Sequence, residues 1–406
     1  MVADPFAKGG LQDAEAVLKA HGVDAYFRAV EGWTDDGYAR IGGRKVVMAA
    51  SNDYLGLSRD PRVVAAAIEA LARYGASVSG SRPLTGSIEL HERLEARMAE
   101  FLGQPDAVVA TTGFQANLAL SAAIGRDDVA FSDARNHASL IEGLRLGLGP
   151  VRTYRHADLD HLRRRLVAAA GPGGRLIVTD GVFSMEGDVA PLRGLRELAD
   201  EFGAKLVVDS AHDLGVLGRR GAGLTEAAGL DDRADLITAT FSKALGSIGG
   251  VIAGPAANVR LLRYNARPLV FSAGLPPASA AAALAALDVL VAEPERRERL
   301  FELSRVLHDG LRGLGLDTRP STRPIVPVPF PDMAAAGAFW AGLFDAGVVT
   351  SLVGPPATGR AMLRVTLTAA HDHGHAEQVV RAFADVADRL RTPRSTTALP
   401  PVELSR

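Results

Sequence analysis

The stretch KLVVDSAHDLG (205–215) runs an apolar segment straight into Asp209, with His212 three residues further on. In open α/β sheets, ligands gather at the carboxyl ends of the strands, which is where Asp209 falls. Comparable short apolar runs occur at 107–110, 129–132, 175–179 and 235–240, and helical stretches at 61–74, 87–102, 115–124, 159–169 and 192–202 alternate with them. Continuous apolar runs bounded by turn signals suit strands buried on both faces of a parallel sheet. The expected fold class is α/β.

Outside this alternation, residues 11–30 read as an amphipathic helix and 38–49 as a short two-strand element. A long helical stretch at 277–312, interrupted near Glu293-Pro294, leads into a mixed region with strands at 324–329 and 362–367. The expected division is an N-terminal helix with short strands (1–55), a large domain (56–290), a small C-terminal α+β domain (291–391) and a mobile Pro/Ser/Thr-rich tail (392–406).

The formal charge of -2 is spread along 406 residues, giving no electrostatic footprint for nucleic acid or an anionic membrane. Cysteine is absent, which excludes disulfides, thiolate metal sites and a cysteine nucleophile. The N-terminus MVADPFAKGG lacks the layout of a signal peptide, and the Ala-rich run 277–292 is shorter than a membrane span, so a cytoplasmic protein is expected. Lys+Arg is 45, yet the only lysines are Lys8, Lys19, Lys45, Lys205 and Lys243. Arginine cannot form an imine, so a chain that avoids lysine keeps it most readily where that chemistry is needed.

Lys243 sits in TATFSKALG (238–246), with Gly249 and Gly250 beyond. Small hydroxyl residues before a lysine can bind a phosphate while the lysine bonds to an aldehyde nearby, and the glycines let the backbone pass close to a cofactor. A carboxylate at Asp209 must face a cation to stay ionised, and the protonated nitrogen of a pyridine cofactor is one such cation. TTGFQAN (111–117) opens a helix after an apolar run and leaves N–H groups for an anion. DARNHAS (133–139) can set the His137 imidazole over a ring, and DGVFSMEGD (180–188) follows another strand. Four successive strands thus end in polar clusters that converge on one face.

Plainer readings exist for each residue taken alone. Asp209 and His137 read equally as helix caps, Lys243 as a solvated lysine, Ser184 as a turn residue, and Arg364 in MLRVTL as a solvent-facing arginine. The three imidazoles of His371-Asp372-His373-Gly374-His375 fall at alternate positions with no separate carboxylate or thiolate framework to complete a metal site, so no metal is expected. The glycines at 215, 218, 221 and 223 follow Asp209 too closely for a dinucleotide fingerprint, and no P-loop is present.

ASNDYLGL (50–57), HERLE (91–95), TGFQAN (112–117), NHAS (136–139), DGVFSMEGD (180–188), VDSAHDLGVLG (208–218), TFSKALG (240–246) and LRVTLTAAH (363–371) resemble, in order, the motif series of the α-oxoamine synthases. The resemblance spans roughly 20–390. It implies the fold type I, aspartate aminotransferase-like architecture, pyridoxal 5'-phosphate (PLP) as cofactor, and a homodimer with shared active sites. By the same resemblance Lys243 binds the cofactor aldehyde and later moves the substrate's Cα proton. Asp209 pairs with the pyridine nitrogen, His137 stacks on the ring, and His212 and Ser184 surround the ring hydroxyl. Gly113, Phe114 and Thr240 match phosphate-end positions, and Ser272 in LVFSAGLPP matches one supplied by the neighbouring subunit. Asn52 and Arg364 match residues near the substrate carboxylate, a task that the planar guanidinium fork of arginine fits.

The implied reaction is a decarboxylative condensation of alanine, serine or glycine with an acyl thioester of CoA or a carrier protein. The alternatives are a 2-amino-3-ketobutyrate ligase-type activity without decarboxylation, or an aminotransferase or lyase of the same fold. The stretch GASVSGSRPLTGS (75–87), with Pro83 and Thr85, and Val349-Thr350-Ser351 depart from the common pattern at places that bear on substrate choice.

Overall fold

The computed structural model describes residues 11–34, 36–169, 171–319, 323–355 and 357–391. Its strands, in chain order, are β1 (Gly32–Trp33), β2 (Ala39–Ile41), β3 (Arg44–Met48), β4 (Asp106–Ala110), β5 (Val129–Asp133), β6 (Val151–Tyr154) and β7 (Arg175–Asp180). They continue with β8 (Lys205–Asp209), β9 (Leu236–Thr240), β10 (Gly250–Gly254), β11 (Val326–Pro329), β12 (Val348–Val349), β13 (Ser351–Val353) and β14 (Met362–Val365). The large sheet has the order β4-β10-β9-β8-β7-β5-β6. Within it β9, β8, β7, β5 and β6 pair in parallel, and β10 lies antiparallel between β4 and β9. Strand β8, carrying Asp209, is the middle strand of seven.

Helices cover both faces of this sheet, as a mostly parallel sheet requires. The helix Pro61–Tyr74 begins where the Asp60 side chain accepts from the Arg62 N–H, with proline pre-set for the first turn, and stops at Gly75 (φ 82°). It packs on the largely apolar helix Pro277–Ala292, and their buried faces join Leu94, Met98 and Phe241 in one cluster. A second cluster joins Val207 and Val178 to Leu120, Leu140 and Leu262.

The remaining strands form two small sheets, β1-β2-β3-β12 and β11-β14-β13. Here N-terminal and C-terminal residues share one core: Leu18, Val23, Val46 and Val47 pack with Leu307, Phe339, Leu363 and Phe383. The expected helix over 11–30 ends at Ala20, because Gly22 takes a left-handed φ of 72° and turns the chain. The long C-terminal helical stretch is two helices, Pro277–Ala292 and Glu295–Gly313, bent by 80° at the break. Among the described residues no single helix is long and apolar enough to cross a membrane. The tail 392–406 lies outside the described residues.

Candidate active site

Strand register builds the site. Asp180 at the end of β7 stands beside Asp209 at the end of β8, and Asp209 stands beside Thr238 on β9. Asp209 is buried; its Oδ2 accepts from Asn117 Nδ2 at 2.6 Å and its Oδ1 from the Ala211 N–H at 2.9 Å. Asn117 also donates to Ser139 Oγ at 2.8 Å and accepts from Thr238 Oγ1 at 2.7 Å. Every polar atom of the Asn117 amide is thus engaged in holding the carboxylate in place.

A cavity of about 280 Å³ opens over this row, lined by Gly113, Phe114, Asn117, His137, Asp180, Asp209, His212, Thr240, Ser242 and Lys243 among others. His137 caps the helix Ala138–Arg145. Its backbone N–H donates to Asp180 Oδ2 at 2.6 Å, and its Nδ1 lies 2.7 Å from Ser139 Oγ. Burial and the nearby Lys243 charge lower its pKa, against the pull of Asp209. Asp180 is pushed well above the usual carboxylate range by burial and by the neighbouring Asp209.

No hydrogen bond holds the Lys243 ammonium among the described residues, and burial lowers its pKa to about 8 even though Asp209 and Asp180 favour the charged form. In the same cavity Thr240 Oγ1 and Ser242 Oγ stand 2.8 Å apart. Gly113 lies so close to them that an added Cβ would fall 2.6 Å from Thr240 Cβ, so glycine is what keeps this wall open.

Arg364, Asn52 and Ser184 form an adjoining group rather than lining this cavity. Arg364 is buried; one guanidinium nitrogen donates to the Ser184 carbonyl at 2.9 Å and the other to Asn52 Oδ1. The plain solvent-facing reading of Arg364 is therefore excluded: all of β14 is buried, with β11 and β13 paired on its two edges and Asn52 and Ser184 against Arg364. Ser184 presents its backbone carbonyl to Arg364, and no hydrogen bond of its hydroxyl to the cavity residues is seen. Ser272 also lies outside the cavity, with its hydroxyl accepting from Gln115 Nε2 of the same chain at 2.9 Å.

Residue reasoning assigned no role to Asn117, Asp180 or Tyr54, and reached Ser242 only as one of the small hydroxyl residues before Lys243. Asn117 and Asp180 stood inside quoted motifs, but only the fold shows that they reach Asp209, Asp180 through strand register and Asn117 through a hydrogen bond from its helix. Tyr54 was hidden by its distance in sequence from His212, whose Nδ1 its hydroxyl reaches at 2.6 Å.

The donor set fits a phosphorylated pyridine aldehyde. It offers a buried carboxylate for a ring nitrogen, an amine of lowered pKa for the aldehyde, imidazoles beside the ring, and paired hydroxyls at an open glycine wall for the phosphate. Fold and site together define a fold type I PLP-dependent enzyme. The aminotransferase class I and II family model matches residues 44–383. Serine palmitoyltransferase of Caulobacter vibrioides is 42% identical over 354 residues, covering 86% of this chain and 88% of the relative. 8-Amino-7-oxononanoate synthase of Anaeromyxobacter dehalogenans is 43% identical over 389 residues, covering 95% and 98%. The solved serine palmitoyltransferase of S. paucimobilis superposes with a TM-score of 0.92 at 32% identity, covering 96% of this chain and 99% of that one. The chain belongs to the aminotransferase class I and II family and, within it, to the PLP-dependent α-oxoamine synthases.

Proposed function

We propose that this enzyme condenses alanine, serine or glycine with an acyl thioester of CoA or a carrier protein, with loss of the amino acid's carboxylate as CO2. The observation that carries this reading is the amine of Lys243, held by no hydrogen bond among the described residues, beside Asp209, with the buried Arg364–Asn52 pair adjoining. Bound PLP supplies an electron sink for negative charge at the amino acid's Cα. Lys243 holds the cofactor aldehyde and then takes the Cα proton on Nζ, a task that favours an amine titrating near the working pH. The Asp209 carboxylate keeps a proton on the ring nitrogen, and His137 covers one face of the ring. His212 flanks the ring hydroxyl and Gly113, Phe114 and Thr240 receive the phosphate; Ser184, matched to the ring hydroxyl by resemblance alone, stands in the adjoining Arg364 group. Arg364, steadied by Asn52, binds the substrate carboxylate and sets the orientation of Cα.

The enzyme acts in the cytoplasm as a homodimer in this reading, with Ser272 reaching the neighbouring subunit's phosphate site. Exposed Phe271 (81%), Leu84 (81%) and Ile248 (52%) support a second copy covering this side. Activity is expected to fall on dilution to monomer; a fully active monomer overturns the shared site.

The reaction is tested by incubating holoenzyme with each amino acid and thioesters of graded length. Thiol and CO2 should appear in equal amounts, and because the chain has no cysteine a thiol reagent adds no protein background. Thiol without CO2 indicates the ligase-type reaction, and amino-acid turnover with neither indicates an aminotransferase or lyase.

Arg364→Lys keeps the charge but cannot hold Asn52 and the Ser184 carbonyl with one planar fork. Amino-acid binding should weaken by about 1–3 kcal/mol, the worth of a charge-assisted hydrogen bond, and Arg364→Ala should weaken it further. The cofactor's own absorption band should not move. Equal dissociation constants in the three proteins, read from amino-acid titrations of that band, would remove Arg364 from the substrate site.

A further inference from the structure

We infer that Tyr54 is a positioning residue that fixes which nitrogen of His212 carries the proton, so that His212 presents Nε2–H to the cofactor ring's hydroxyl oxygen. This inference rests on the reading that His212 faces the ring.

Tyr54 is 1% exposed, and its Oη lies 2.6 Å from His212 Nδ1. The two rings meet edge to face, with centroids 6.1 Å apart. Among the described residues the Tyr54 hydroxyl has no second hydrogen-bond partner. Two proton placements fit the distance. In one, the Tyr54 O–H donates to an unprotonated Nδ1, which satisfies both groups. In the other, Nδ1–H donates to Oη and the hydroxyl hydrogen is left buried without an acceptor, which costs the full desolvation of that donor. The first placement is favoured, and a neutral imidazole that accepts at Nδ1 carries its hydrogen on Nε2.

Charge does not compete with this choice near neutral pH. Burial, with Lys243, Arg364 and His137 nearby, holds His212 well below the usual histidine range. Burial pushes Tyr54 up to about 12, with Arg364 opposing and Asp213 assisting. The imidazole is therefore neutral and only its tautomer is open. His212 lines the cofactor cavity, and its Nε2 has no protein partner among the described residues, so Nε2–H is the donor left for a ligand oxygen.

The same short turn serves both halves of the site. The Tyr54 N–H donates to the Asn52 carbonyl at 2.8 Å, and the Tyr54 carbonyl accepts from Ala369 N–H at 2.8 Å. Asn52 meets Arg364 while Tyr54 meets His212, so the turn carrying Asn52 and Tyr54 ties the substrate-carboxylate group to the ring-hydroxyl group.

The decisive measurement is neutron diffraction from crystals of the deuterated wild-type holoenzyme. A deuteron on His212 Nε2 with none on Nδ1 is the expected result, and a deuteron on Nδ1 overturns the inference whatever reaction the enzyme catalyses. The companion variant is Tyr54→Phe, which keeps the ring and deletes the hydroxyl. Folded Tyr54→Phe holoenzyme should show a displaced cofactor absorption band and a kcat lower by about tenfold, with amino-acid KM changed by less than about twofold. A merely space-filling Tyr54 would leave the band in place, so an unmoved band and unchanged kcat also overturn the inference. Should Tyr54→Phe fail to fold, the wild-type deuteron position alone decides.

Discussion

Replacing Lys243 by alanine is expected to lower turnover by more than about 10⁴-fold, because one amine both anchors the cofactor and moves the Cα proton, and a positioned acid–base group alone contributes about 10²–10⁴-fold. Borohydride should fix the cofactor to wild-type protein at residue 243 and to nothing in Lys243→Ala. The other described lysines are poor competitors. Lys19 pairs with Glu15, Lys45 with Asp36 and Lys205 with Asp235, all at the surface. Label recovered on any of them would overturn the assignment.

Burial of that amine also has a consequence in the cofactor-free protein. Its folded pKa, lowered to about 8, lies below the unfolded value of 10.5, so burial costs stability wherever the unfolded chain holds the proton more tightly. The cost is full below pH 8, shrinks as pH rises from 8 to 10.5, and is gone above. Cofactor-free Lys243→Met should therefore be more stable than wild type at pH 7 by at most about 3 kcal/mol, at ~1.4 kcal/mol per pKa unit. Denaturant melts at pH 7 and pH 10.5 check this; a gap that widens with pH would show that burial does not lower the pKa of the amine.

Strands buried on both faces announce themselves as unbroken apolar runs, which is why β4, β5, β7, β8 and β9 were legible to within a residue or two. Strand β10, GVIAG, is just as buried but opens and closes on glycine, and it was missed. Its Gly250 is required by space: an added Cβ would come 2.6 Å from the Thr112 carbonyl oxygen. Strand β6, VRTY, has too few apolar residues to stand out. In the site, residues at strand ends were legible because the fold rule puts every such end on one face, and Gly113, His137, Asp209, Thr240 and Lys243 do line one cavity. What pattern could not supply was register. Asp180 sits beside Asp209 only because β7 and β8 pair at that offset, and Asn117 reaches the carboxylate from a helix whose amide reads as ordinary polar filler. Arg364 was legible as a carboxylate-binding residue only through the motif resemblance, because alternation in MLRVTL by itself signals a half-exposed strand, whereas every residue of β14 is buried.

Asp209→Asn should leave the fold standing and cripple the enzyme. The side chains are nearly isosteric, and the site can accommodate an amide oxygen facing Asn117 Nδ2, the donor that now holds Oδ2 at 2.6 Å. The amide nitrogen must then face Ala211 N–H, a donor against a donor where 2.9 Å now separates donor from acceptor, so a modest loss of stability is expected. The loss of function is larger, since a neutral amide cannot hold a proton on the cofactor's ring nitrogen, and without that proton the ring withdraws electrons from Cα poorly. Removing one partner of a buried ion pair costs about 3–5 kcal/mol, which at ~1.4 kcal/mol per tenfold corresponds to roughly 10²–10⁴-fold in kcat. Asp209→Glu keeps the charge but must push a longer side chain against Asn117 and Ala211, so it should recover only part of the rate. Turnover of the two variants, with circular dichroism and cofactor content measured on the same samples, separates a lost charge from a lost fold. Near-normal kcat in Asp209→Asn with full cofactor content would show that some other group, with buried Asp180 the nearest carboxylate in register, serves the ring nitrogen.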